Sequence, residues 1–97
     1  MNKCAKFIKM SSMVEKSVHV GKAIHARPAM MIVELANTFL SQVWLRKGEL
    51  TVNAKSVLGV LMLAAAEGDT LQVVASGPDE EKAVDTICNF LENLEVE

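Results

Sequence analysis

The 97 residues, 51% of them apolar with only four aromatic side chains (Phe7, Phe39, Trp44, Phe90), fit one domain and exclude two. Ten basic and twelve acidic residues leave a net charge of −2, and this balance beside abundant Val, Leu, Ile, Ala and Met excludes disorder. Cys4 and Cys88 near opposite ends and two histidines exclude a disulfide framework or a zinc cage and point to a reducing cytoplasm; no signal core or bilayer-length apolar run marks export or a membrane span.

Residues 1–12 are expected to be an N-terminal extension, disordered or a mis-assigned start given Met10 and Met13, with residues 13–97 forming the domain. From Val14 to Val20 the chain alternates weakly, Val14, Val18 and Val20 on one face and Ser17 and His19 opposite, which predicts a half-buried strand with a solvated His19. Gly21 ends it. Pro28 suits a first helical turn, and Ile32, Leu35, Ala36 and Phe39 follow at the spacing of one helical face. Val43 and Leu45 alternate with polar neighbours, Lys47-Gly48-Glu49 supplies a turn, and Leu50 to Val52 returns as the second arm of a hairpin.

Ser56 is placed to cap a short helix from Val57 to about Ala64, ended by Glu67-Gly68-Asp69. Thr70 to Ala75 reads as a strand with Leu71 and Val73 inward. After Ser76-Gly77-Pro78, acidic residues open a last helix whose buried face is Val84, Ile87, Cys88, Leu91 and Leu94. Cys88 is a core filler, Cys4 a thiol of the extension. The order βαββαβα predicts an α+β open-faced β-sandwich, a four-stranded antiparallel sheet covered on one face by three helices.

Charge is unevenly spread. Seven of the twelve acids (Asp79, Glu80, Glu81, Asp85, Glu92, Glu95, Glu97) crowd the C-terminal end, while Lys16, Lys22, Arg27, Arg46, Lys47 and Lys55 face only Glu34 and Glu49 between positions 16 and 55. That basic front favours acidic partners or phosphate groups. No basic run is interleaved with aromatic residues, so neither nucleic acid nor a membrane is expected as a partner.

His25 precedes the first helix, where backbone N–H groups point outward and the helix dipole favours negative charge. A ring nitrogen lone pair at that position suits a nucleophile for a phosphoryl group, and Arg27 could offset the charge of the phosphoryl oxygens. On these residues alone a plain helix-capping histidine stays open. From Val57 to Ala66 no side chain is polar, which leaves either a deeply buried helix or one exposing Val57, Leu58, Leu61 and Met62.

Ala23-Ile24-His25-Ala26-Arg27-Pro28-Ala29 resembles the active-site signature of HPr, the histidine-containing phosphocarrier family of the phosphoenolpyruvate-dependent sugar phosphotransferase system, and Asn53 to Leu61 resembles its regulatory serine signature. The resemblance runs without a gap from about Met13 through Leu94 and implies the same open-faced sandwich. It implies that His25 accepts a phosphoryl group on Nδ1, as pros-phosphohistidine, from phosphorylated enzyme I and passes it to sugar-specific enzyme IIA domains. Ala26 and Arg27 would donate backbone N–H groups, and the Arg27 side chain positive charge. Met30, Met31, Val57, Leu58 and Leu61 would form the docking surface. Ser56, otherwise an ordinary helix cap, would be a regulatory phosphorylation site for an HPr kinase/phosphorylase, read by a transcriptional regulator. The carrier would be a cytoplasmic monomer without metal or cofactor, completing transfers only with partner enzymes. A regulatory binding module, or a nitrogen-branch carrier acting on non-sugar targets, is the alternative; the family's regulatory paralogue lacks the active histidine, which this chain keeps. Two positions depart from the signature: Ala23 stands where the family has Gly, so the loop is expected to differ in shape or transfer rate, and Lys22 stands where a small polar residue is common, adding charge near the site that could tune either.

Overall fold

A computed structural model describes residues 8–10 and 13–94, so Cys4 lies outside the described residues. The elements are β1 (Ile8–Met10), β2 (Met13–His19), α1 (Ala26–Ala36), β3 (Gln42–Lys47), β4 (Leu50–Asn53), α2 (Val57–Met62), β5 (Thr70–Ser76) and α3 (Glu80–Glu92). From β2 onward this is the expected βαββαβα order. The antiparallel sheet runs β1-β2-β5-β3-β4, so the four expected strands gain a short fifth at the edge. Ile8–Met10, drawn from the expected extension, pairs with β2, Ile8 opposite Glu15 and Met10 opposite Met13. That pairing occupies backbone groups that an edge strand otherwise leaves open.

Strand alternation and register together build one apolar face. Val14 lies opposite Ala75, which lies opposite Val43; Val18 lies opposite Leu71; Leu45 lies between Val73 and Val52. These residues meet Ala29, Ile32 and Ala36 of α1, Val60 of α2, and Ala83, Val84, Ile87, Cys88 and Leu91 of α3 in a single buried cluster. Each fully buried Leu, Ile or Val in it contributes about 1.5–3 kcal/mol relative to exposure. Lys16 shares the inward face, opposite Val73, and is only 6% exposed; its ammonium pairs with Asp85 of α3. Among the described residues no helix covers the other face. There Trp44, half-buried, lies opposite Val74 and Asn53 and lines a shallow cleft with Met13, Arg46 and Thr51, while the Arg46 guanidinium meets Glu15 at 2.8 Å.

Some boundaries fall short of the apolar periodicity. α1 ends at Ala36 because, after the last four-residue bond from Asn37 N–H to Val33 O, Thr38 N–H and Phe39 N–H make three-residue bonds to Leu35 O and Ala36 O, and the Thr38 hydroxyl also donates to Leu35 O; Phe39 is buried from the following loop instead. α2 stops at Met62 rather than Ala64, since Leu63 and Ala64 make short three-residue bonds to Val60 O and Leu61 O. Leu94 lies beyond α3 and is partly buried, as is Leu35. At Gly77, φ is 152° and an added Cβ would lie 2.5 Å from Ser41 Cα, so only glycine fits between β5 and α3.

Candidate functional site

Two tethers fix the approach to α1. Gly21 N–H donates to Leu91 O at 2.9 Å, and a Cβ at this position would meet Glu92 O at 2.7 Å, so glycine lets the chain press against the end of α3. Ile24, buried, donates its N–H to Ala65 O at 2.9 Å in the loop after α2. His25 is thereby held between an anchored residue and a helix. It occupies the N-cap with extended backbone (φ −101°, ψ −158°), its ring is exposed, and its side chain makes no capping hydrogen bond. His25 is thus the N-cap residue of α1 through its backbone, but its imidazole is not spent on capping.

The intrahelical ladder begins at Ala29, whose N–H donates to His25 O at 2.9 Å. Before it come the N–H groups of Ala26 and Arg27, while Pro28, at the third helical position, brings none. No acidic side chain lies in the first turn, so the positive end of α1 is not neutralised by the helix itself. An exposed nucleophilic nitrogen beside such an end is chemically suited to a phosphoryl group or another small oxyanion. Among the described residues no cluster of three or more His, Cys, Asp or Glu is placed to hold a metal, and no helix is long and apolar enough to cross a membrane.

The structure places the two departures from the signature in the anchored approach to His25. Ala64 is the one non-glycine residue with positive φ among those described, so Ala23 takes backbone that any residue adopts. The Lys22 ammonium lies 3.3 Å from Glu67 Oε1, committing its charge to the loop after α2.

Ser56 is the N-cap of α2: its Oγ accepts the Gly59 N–H at 3.1 Å and its carbonyl the Val60 N–H at 3.0 Å. α2 buries Val60 alone, which removes the buried-helix alternative. Leu58 is 69% exposed, Met62 59% and Met30 52%, with Val57, Leu61 and Met31 also exposed. α1 and α2 pack side by side, so these side chains decorate adjoining helices beside the His25 loop. Leu40 and Leu50 are further exposed apolar side chains that helix periodicity had no means of finding, because both sit in or next to turns.

The sequence matches, over residues 5–93, a family profile described as the PTS HPr component phosphorylation site. The chain belongs to the HPr family. It is 42% identical over 83 residues to phosphocarrier protein HPr of Treponema pallidum, covering 84% of this chain and 94% of that one. Likeness to the HPr-like protein Crh of Halalkalibacterium halodurans is 39% over 82 residues, covering 82% and 98%. The fold superposes on the crystal structure of HPr from Bacillus anthracis with a TM-score of 0.80 at 34% identity, over 84% of this chain and 99% of that one. Open-faced architecture and membership of a phosphotransferase-system carrier family thus agree.

Proposed function

We propose that this HPr-family chain is a stoichiometric phosphoryl carrier that uses His25. The observation carrying this reading is the exposed His25 imidazole, free of any capping bond, at the N-terminus of α1 in a chain that matches the HPr phosphorylation-site profile. The Nδ1 lone pair attacks the phosphorus of phosphorylated enzyme I, a P–N bond forms, and the bond from phosphorus to the donor breaks. In the onward step a nucleophile of an enzyme IIA domain attacks, and the P–Nδ1 bond breaks. The N–H groups of Ala26 and Arg27 and the Arg27 guanidinium balance the phosphoryl oxygens in both directions. Met30, Met31, Val57, Leu58 and Leu61 supply an apolar docking face on which partners alternate. No metal or cofactor enters the step, and the carrier works as a cytoplasmic monomer.

Incubation with enzyme I and phosphoenolpyruvate yields an acid-labile, base-stable phosphate on His25. Equal labelling of a His25→Ala variant overturns the assignment. The resemblance of Asn53 to Leu61 to the family's regulatory serine signature, with Ser56 at the N-cap of α2 beside the exposed Val57 and Leu58, supports a second role, phosphorylation of Ser56 by an HPr kinase/phosphorylase and recognition by a transcriptional regulator. A phosphate there would stay at a favourable helix end yet place a dianion beside the apolar docking face, weakening acidic partners. Tryptic mapping after incubation with the kinase and ATP finds the label on Ser56 if that role is real. Pairing the carrier with sugar-branch and nitrogen-branch enzyme I separately assigns its branch.

A further inference from the structure

Lys47, read from sequence as a turn residue, ends β3 and reaches across to the exit of α2. Its Nζ donates to Leu63 O at 3.2 Å and Ala64 O at 3.1 Å, and lies 3.1 Å from Asp69 Oδ2. A cation at helix-terminal carbonyls is favoured by the helix dipole. Asp69 Oδ2 also accepts the Ala66 N–H at 2.8 Å. One ammonium therefore closes the segment from Leu63 to Asp69 from both ends. Inside that segment Ala64 is held at φ 48°, a left-handed conformation that its Cβ disfavours. The His25 approach rests on the same segment through three backbone bonds: Ile24 N–H to Ala65 O at 2.9 Å, Val20 N–H to Asp69 O at 2.9 Å and Gly68 N–H to Val20 O at 2.8 Å.

We infer that Lys47 is a positioning residue for phosphoryl transfer at His25, acting through the Leu63–Asp69 segment and the Ala65 to Ile24 hydrogen bond. The inference rests on the phosphocarrier reading. Without the ammonium, two helix-terminal carbonyls and a carboxylate lose their common donor. Ala64 then relaxes, Ala65 O shifts, and the residue before His25 is less firmly anchored. His25 spends less time in the orientation that meets the incoming phosphorus, so turnover falls, while the docking side chains remain in place.

The test compares wild type, Lys47→Met, Lys47→Arg and Lys47→Met with Ala64→Gly in enzyme I-dependent phosphorylation from phosphoenolpyruvate, with amide exchange at Ile24 followed by NMR. Lys47→Met lowers kcat about threefold to tenfold with KM nearly unchanged. Its Ile24 amide exchanges about tenfold faster. Lys47→Arg restores both, and Ala64→Gly restores part of each because glycine holds the left-handed turn without help. Lys47→Met with wild-type kcat, or with slowed turnover but unaltered Ile24 exchange, overturns the inference. So does a loss that appears only in KM, or one that Lys47→Arg leaves uncorrected. Wild-type protein that takes no label overturns the phosphocarrier reading itself, and the Ile24 measurement distinguishes that failure from failure of the brace.

Discussion

Ala64→Gly should make the protein more stable, against the usual direction for glycine. Ala64 is exposed, follows the C-cap Leu63 of α2, and has φ 48°. At this position helices commonly end on glycine, because a left-handed residue with a Cβ costs about 1–2 kcal/mol. Glycine brings extra freedom to the unfolded chain, a penalty of about 0.4–1 kcal/mol. The difference is a net gain of about 0.5–1 kcal/mol. For a domain of this size that raises Tm by about 2–8 °C. Circular dichroism melts paired with urea titrations read it, with the urea midpoint rising at constant slope. A variant melting at or below wild type would show that the Ala64 backbone is not strained and would remove the strain component of the Lys47 argument.

Ser56→Ala removes the acceptor for the Gly59 N–H and lowers stability by about 1 kcal/mol, measured by urea unfolding, while the variant still takes phosphate on His25. Leu58→Asp keeps the melting curve within about 0.5 kcal/mol because the side chain is exposed. It raises KM for phosphorylation by enzyme I about tenfold, equivalent to about 1.4 kcal/mol, and an unchanged KM removes Leu58 from the docking face. Asp79 is held at a pKa of about 2 by the Ser41 hydroxyl and then the Leu40 N–H. Its folded value lies below the ordinary aspartate value of 3.8, so its stabilisation is complete above that pH and is lost as pH falls toward 2. Urea unfolding between pH 5 and pH 2 should show Asp79→Asn to be less stable than wild type at the upper end and less sensitive to acid across the window; parallel curves refute the assignment.

Most of the architecture is legible because apolar residues repeat with the period of the element that buries them. Val14 and Val18 alternate into the core, the Ile32 and Ala36 spacing marks one face of α1, and Ser56 before an apolar run announces a cap. β1 is too short for any period to register, and it exists through its pairing with β2. Lys16 shares the inward parity of the valines, yet its burial depends on Asp85 supplying a countercharge from α3. The position of His25 ahead of α1 follows from the His-x-Arg-Pro pattern, but residue type does not dictate whether a side chain turns back onto its own helix. That the His25 ring makes no cap bond is a tertiary fact. Lys47 lies further still from sequence legibility: its carbonyl partners are 16 and 17 residues away, and a lysine beside Gly48 looks like any hairpin turn.

The face of the sheet turned away from the helices also gives the molecule a built-in optical reference. Trp44 is its one tryptophan, and it sits beside Val74 on the side away from all three helices. Its emission therefore follows the integrity of the sheet, while events on α1 and α2 leave its surroundings intact. Fluorescence recorded during transfer can separate loss of competence at the helix side from loss of the fold, in a single cuvette and without an added label.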